Sequence, residues 1–351
     1  MFCALWTDFF TPYVSLNLVW FVLVGILFTG YAVLDGFDLG VGMLDLLGKT
    51  DTDRRILYNS IGPVWDGNEV WLVTGGGALF AAFPVVYAGV FSGFYIAFML
   101  LLFAIILRAV AIEFRSKEEM IWWRRLWDYA FCFSSFLSSF LIGVAIGNIA
   151  YGIPMDEQGN YMGSFLDLLN PYSLWIGVTT VALFLMHGCI YAVLKTEGDL
   201  QKQFRGYINR TIIFFIVCYA ISAGMTLLYL DHMVQVFKDY PPLSLVMLVN
   251  MLLIANIPRE IHLGKEFFAF LSSCGAMISL MVIFGLGIFP YLIYGVPGGL
   301  NSLDVYNSSS SQKTLSIMLL IAIMGIPLVL AYTVSVYWIF RGKVKLGPES
   351  Y

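Results

Sequence analysis

The chain has 351 residues, is 60% hydrophobic and only 12% charged, and carries a formal net charge of −4. A soluble globular chain carries roughly 25% charged residues, and a mean hydropathy of +0.82 points instead to a polytopic membrane protein surrounded by lipid. No basic footprint for nucleic acid is present, and so mild a net charge says little about other partners.

Repeated apolar runs of about 20 residues are long enough to cross a ~30 Å hydrocarbon core as helices. In chain order the predicted helix cores cover residues 14–34, 68–82, 86–112, 129–150, 172–194, 211–230, 243–257, 267–291 and 315–340. The N-terminus lacks the basic region and small-residue cleavage site of a signal peptide, so the first run is expected to stay. The second run is short on its apolar part alone. It is expected to begin earlier, near Arg54 or Pro63, with a polar stretch at membrane depth. Pro84 separates it from the third, because proline has no N–H to continue the ladder. The fold class is thus an all-α integral membrane protein of about nine helices in a single domain. Residues 1–150 would form a first bundle and 171–351 a second with the final helix. No internal sequence repeat stands out, and the Ser- and Asn-rich stretch 301–312 reads as an exposed loop.

Basic residues orient this arrangement. Seventeen of the nineteen Lys and Arg, Arg108 among them, fall on one side, leaving only Lys238 and Lys313, with the acidic stretch 156–167, on the other. Cytoplasmic loops concentrate Lys and Arg, so the expected topology has the N-terminus outside and the C-terminus in the cytoplasm. Merging two helices would reverse the later loops and spoil the asymmetry.

The few charges left inside draw attention, because a carboxylate at a helix centre in a bilayer costs about 2.5 to 3.5 kcal/mol. Asp35 and Asp38 close the first predicted helix, three residues apart and on one face. They read either as solvated carboxylates at a tight helix end or as a protonatable pair. Gly36 and Gly40 beside them allow a second backbone to approach. Asp66 lies eleven residues beyond Arg55, roughly 16 Å if the segment is helical, with Glu69 one turn on and Trp65 and Trp71 flanking. It reads as a buried proton-passing acid or as an interfacial acid with tryptophan anchors. Gly75, Gly76 and Gly77 follow and suggest close packing. Arg108 stands inside an otherwise apolar run. It could pair with Asp66, Asp38 or Asp128, or extend to the headgroups. Asp128 is expected to begin the fourth helix, where an acid also suits the helix dipole.

Ligands for haem or metal are scarce. His187 is the one histidine predicted within a membrane segment and reads as a satisfied polar residue; His232 and His262 lie in or beside loops. The five cysteines are scattered without a C-x-x-C and read as packing groups. The fifteen methionines read as apolar filler. No Walker or Rossmann fingerprint is present.

Three segments carry a resemblance: GYAVLDGFDLGVG at 30–42, RRILYNSIGPVWDGNEVW at 54–71 and TGGGALFAAFP at 74–84. Together with FSGFY at 91–95, FRSK at 114–117, Trp127-Asp128 and the Gly143 to Asn148 motif, they closely resemble subunit II of cytochrome bd-type quinol oxidases. The likeness thins after about residue 200, although Phe289-Pro290 and the last helix still fit. It implies a bacterial inner-membrane complex with a fold of two four-helix bundles plus one peripheral helix. It also implies a heterodimer with subunit I, which carries haem b and haem d, or b-type haem only in the cyanide-insensitive branch that shares these motifs. That partner would oxidise quinol and reduce O2 to water. This chain would hold no haem and no catalytic residue of its own. Carried over position by position, a cytoplasmic proton path would use Asp66 beside Trp65, with Asp38, Arg108 and Asp128, and Asp35 as a further member. Some members of the family hold a structural quinone in this subunit, and a small single-helix accessory subunit is a further expected partner. The family often has His before the Trp-Asp pair and Gln after the Asn, where this chain has Val64 and Glu69. Glu69 therefore adds a carboxyl beside Asp66 and joins the candidate path. Two other readings compete. A proton-coupled secondary transporter would also bury acids, but expects repeats and paired broken helices. A purely structural subunit would carry its acids incidentally.

Overall fold

The computed structural model describes residues 15–347. Cys3 and the first residue of the first predicted helix lie outside the described residues. Twelve α-helices follow among the described residues: α1 (Leu16–Leu44), α2 (Asp51–Ile61), α3 (Trp65–Ala82), α4 (Pro84–Gly93), α5 (Tyr95–Phe114), α6 (Ile121–Tyr151), α7 (Pro171–Lys195), α8 (Gly198–Tyr229), α9 (Asp231–Asp239), α10 (Leu245–His262), α11 (Glu266–Ile288) and α12 (Gln312–Ile339). A two-stranded antiparallel ribbon, β1 (Tyr291–Ile293) and β2 (Leu303–Asp304), lies between the last two. Eight of the described helices are long and apolar enough to cross a membrane. They correspond to every predicted span but the second. That span is α3, 18 residues long, whose polar start and three glycines keep it below the same hydropathy.

Chemistry at the chain breaks explains where the helices stop. Helix α2 has its own start, so the second span does not begin near Arg54; it begins at Trp65, beside Pro63, the other predicted start. The Thr50 hydroxyl accepts the Asp53 N–H at 3.1 Å, and the Asp53 carboxylate accepts the Thr50 N–H at 3.0 Å. This reciprocal box satisfies two donors that a helix start leaves open. Gly62 and Pro63 then interrupt the chain before Trp65. Pro84 sits at the first position of α4, where its missing N–H costs nothing. The third predicted span is itself interrupted at Phe94, between α4 and α5. Helix α6 ends where Gly152 adopts a φ of +94°, a conformation costly to side chains. Asn170 caps α7, accepting the Ser173 N–H at 2.8 Å.

Helix α1 is the axis of the packing. It runs to Leu44 rather than ending at residue 34, and it packs against α3, α6, α7 and α11. The contact with α7 is backbone on backbone: a Cβ on Gly40 would lie 2.0 Å from the Phe184 carbonyl oxygen and 2.7 Å from Gly188 Cα. Small residues at such crossings let helices gain dispersion contacts in lipid. The largest buried cluster joins α1, α2 and α6 to α7, α8 and α10 through residues such as Phe37, Tyr58, Phe131, Ile190, Phe215 and Ile257. Helix α12 packs on α1 and α3 and leaves most of its remaining surface outside the chain. The four described cysteines are free thiols.

Candidate functional site

Because α1 continues past residue 34, Asp35 and Asp38 sit inside a helix and are fully buried, which overturns the reading of solvated carboxylates at a helix end. Asp35 faces Arg108 of α5, and Asp38 faces Asn68 of α3. Arg108 of α5 is also fully buried, so its side chain does not reach headgroups. It grips Asp35 with both terminal nitrogens, Nη1 to Oδ2 at 2.8 Å and Nη2 to Oδ1 at 2.5 Å. The same Nη2 lies 3.0 Å from Glu69 Oε2 on α3. A fork of this kind gives a guanidinium its strongest and most directional bond. The predicted partners of Arg108 were Asp66, Asp38 and Asp128; the structure brings it instead to Asp35 and Glu69.

One turn along α1, Asp38 accepts a hydrogen bond from Asn68 Nδ2 at 2.7 Å. Asn68 also donates to the Leu34 carbonyl at 3.2 Å and accepts from the Tyr337 hydroxyl of α12 at 2.9 Å. Several atoms in this inner cluster lack a protein partner in hydrogen-bond alignment: Asp38 Oδ1, both Glu69 oxygens, Arg108 Nε and the Tyr31 hydroxyl. Two carboxyl groups thus bind the one guanidinium, and a third, Asp38, lies one turn away.

Asp66 stands apart. The break at Gly62 and Pro63 removes the continuous helix on which its predicted depth rested. It is exposed on the surface of the chain, while Trp65 is half-buried against the main core. Residues three apart on a helix are offset by about 60°, enough to turn Glu69 inward and Asp66 outward. A narrow cleft between α3 and α12, of about 20 Å³, runs beside Gly67 to Asn68 and Tyr337. Room for roughly one water therefore separates the surface near Asp66 from the side chain that holds Asp38.

Asp128 belongs to a different group. It lies inside α6, two turns from its start, so it does not serve the helix dipole. Arg54 of α2 binds one carboxylate oxygen, and Arg115 Nε binds the other at 2.5 Å. Arg115 also meets Asp51 at 2.8 Å, and Arg124 meets the same carboxylate at 2.9 Å. This end cluster ties α2 to α6 and to the residue that follows α5. Tyr58 lies beneath the Arg115 guanidinium, 5.2 Å from ring centroid to Cζ. Burial pushes the Tyr58 phenol well above its ordinary value, and the negative field of Asp45 and Asp128 adds to it.

His187 is fully buried between α1 and α11 with both ring nitrogens engaged, Nδ1 by Ser273 Oγ at 2.7 Å and Nε2 by the Val33 carbonyl at 3.0 Å. Phe270 stacks on it at 5.1 Å. These bonds make it a satisfied polar residue. Among the described residues no group of three His, Cys, Asp or Glu side chains could hold a metal ion.

Sequence reading missed Asn68, Tyr337 and Asp45. Asn68 stands between Asp66 and Glu69 in the motif, where its amide drew no attention. Tyr337 meets the cluster only through the tertiary position of α12. Asp45 lies seven residues beyond Asp38, and that helical spacing was a usable signal.

Fold and charges together define an all-helical integral membrane protein built around a buried cluster of three acids and one arginine. The family model described as cytochrome bd terminal oxidase subunit II matches residues 16–340, and the chain belongs to that family. It is 36% identical to the cytochrome bd-I ubiquinol oxidase subunit 2 of Escherichia coli over 95% of this chain and 96% of the relative. It is 35% identical to the cytochrome bd ubiquinol oxidase subunit 2 of Bacillus subtilis over 94% and 97%. A chain of the solved bd oxidase from Geobacillus thermodenitrificans shares the fold, with a TM-score of 0.77, 15% identity, and coverage of 93% of this chain and 99% of that one. The protein is a multi-pass component of a bacterial inner membrane.

Proposed function

We propose that this chain is the haem-free subunit of a heterodimeric terminal oxidase whose partner, subunit I, oxidises quinol and reduces O2 to water. In this reading its own task is to scaffold that partner and to carry protons to it from the cytoplasm. The observation that carries the reading is the inner cluster: Asp35, Asp38 and Glu69 around a fully buried Arg108. If every carboxyl were ionised, the cluster would hold uncompensated negative charge at membrane depth, which is costly. Protons shared among the acids relieve it. A site that holds a proton on one of several acids, each within a turn of the next, can accept it on one side and release it on the other. Asn68 and Tyr337 orient Asp38 from α3 and α12, and the cleft beside Gly67 reaches both of these side chains. Asp128, bound by Arg54 and Arg115, stands at the end of the bundle that the basic loops assign to the cytoplasm.

The redox chemistry belongs to haem b and haem d, or b-type haem alone, in subunit I. A structural quinone and a small single-helix accessory subunit remain compatible additions. Protons taken from the cytoplasm and quinol protons released outside would generate a membrane potential without pumping. The N-terminus then faces the periplasm and the C-terminus the cytoplasm.

The test is to purify the chain with its co-purifying partner, record a reduced-minus-oxidised spectrum, and reconstitute the complex into vesicles. Quinol-driven O2 consumption should build a potential and acidify only the outer side. Haem signals should be absent from this subunit alone. A haem-free preparation without a partner, or turnover without a potential, would contradict the reading.

A further inference from the structure

Asp45, the residue after α1, is fully buried, and neither of its carboxyl oxygens meets a hydrogen-bond partner in the protein. Arg54, Arg115, Asp51 and Asp128 of the end cluster surround it in charge, yet none binds it. A buried acid that makes no structural bond asks for another explanation, since the large majority of buried side-chain polar atoms are paired.

Its neighbours along the helix seam supply one. Asp38, Gly42 and Asp45 are spaced i, i+4, i+7 and share one stripe. Helix α6 runs beside this stripe in the opposite direction and meets it at Gly42. Cys132 Sγ donates to the Met43 carbonyl at 3.4 Å. A Cβ on Gly42 would lie 2.1 Å from Ser135 Oγ. Ile142 packs into the cluster of Leu39. Residue numbers rise along α6 as they fall along α1, so the pair is antiparallel. On α6, Phe131, Ser135, Ser138 and Ile142 form one stripe by the same helical spacing, and Ser138 falls between the levels of Gly42 and Leu39. Ser135 and Ser138 are fully buried, and neither hydroxyl has a partner. Asp38 Oδ1 likewise lacks a partner. By helical spacing, the unpartnered Asp45, Ser135, Ser138 and Asp38 oxygens come in that order between the levels of the end cluster and the inner cluster.

We propose that Asp45, Ser135 and Ser138 form a hydrated proton seam feeding Asp38. The proposal rests on the reading that Asp38 and its neighbours deliver protons to the partner. Asp38 and Asp45 are about 10 Å apart along the helix, too far for one transfer, and the two hydroxyls divide that distance. In each passage the Asp45 carboxyl gives its proton inward and takes another from the side of the end cluster. Each hydroxyl, and each water between them, accepts one proton as it releases its own. One proton moves, no electron does, and no net charge stays in the seam.

The test uses the purified two-subunit complex carrying Asp45→Asn, Asp45→Glu, the double change Ser135→Ala with Ser138→Ala, or Asp38→Asn. Quinol-driven O2 uptake per haem is measured in H2O and D2O. Asp45→Asn and the double alanine change should each lower kcat by about tenfold or more. They should raise the solvent isotope effect while haem content and the quinol KM stay unchanged. Asp45→Glu should recover kcat to within about threefold. Wild-type kcat in Asp45→Asn alongside a slow Asp38→Asn overturns the seam and leaves the Asp38 reading intact. Wild-type kcat in Asp38→Asn removes that reading and the seam with it. If Asp45→Asn loses haem, the double alanine change decides: slow turnover with haem retained supports the seam, and normal turnover overturns it.

Discussion

Two ion clusters, one on α2 and α6 and one on α1, α3 and α5, are built to opposite rules. The end cluster sets Arg54, Arg115 and Arg124 against Asp51 and Asp128, and its outer members are partly exposed. Cations match or outnumber acids there, and both Asp51 oxygens and both Asp128 oxygens are bound. The inner cluster sets three acids against the single Arg108, with no solvent access at Arg108 or Asp35, and it leaves several polar atoms without protein partners. Balanced, bonded charge fixes the ends of helices. Unbalanced charge buried inside the bundle is expensive, and its surplus of acids gives a proton somewhere to sit.

The largest effect expected from breaking this contrast is at Arg108. Arg108→Met would leave Asp35 and Glu69 without a cation. Removing one partner of a buried pair costs about 3 to 5 kcal/mol, so the assembled complex should melt at a markedly lower temperature or fail to accumulate. Wild-type thermal stability would show that the guanidinium is dispensable. A smaller loss is expected from Glu69→Gln, which keeps the shape of the side chain and removes one acid. Turnover should fall several-fold with haem content retained, and O2 uptake per haem reads it directly.

The end cluster should respond differently. Arg124→Gln removes an ion pair whose side chains are 28% and 44% exposed. Such pairs contribute less than about 1 kcal/mol and weaken with salt. The melting temperature should therefore drop slightly at low ionic strength, converge with wild type at high salt, and leave turnover unchanged. The smallest effect belongs to the loop between α6 and α7. The Asn160 side chain and backbone hold the Asp156 carboxyl below its usual range, and the Ser164 N–H and hydroxyl do the same for Asp167. Depressed values mean that these carboxylates stabilise the loop above the ordinary value of about 3.9 and lose that contribution as pH falls through the depressed value. Limited proteolysis should nick the loop more readily in acid than at neutral pH, with the helices still intact.

Much of the architecture is legible in apolar run length, and the nine predicted segments all appear as helices. The errors concentrate where polarity and packing disagree. Two aspartates and three glycines lower the hydropathy of 35–42, so α1 reads as ending at 34. Tertiary contact of Gly40 with Gly188 shows why it continues. The membership of the inner cluster is half legible. Asp35, Asp38, Glu69 and Arg108 stand out as charges in apolar runs. Which acid Arg108 binds depends on how α1, α3 and α5 are set against one another, and no local pattern encodes that. Asp66 fails for a related reason, since its depth was reckoned along a helix that Gly62 and Pro63 break.

The most direct test of the central claim is proton uptake during a single turnover. The fully reduced complex carrying Asp38→Asn would be mixed with O2 beside a pH indicator, with the haem spectrum recorded in parallel. The account predicts normal haem content and normal initial reaction with O2, followed by proton uptake about tenfold or more slower than wild type. Proton uptake at the wild-type rate would contradict it and return the inner cluster to a structural role.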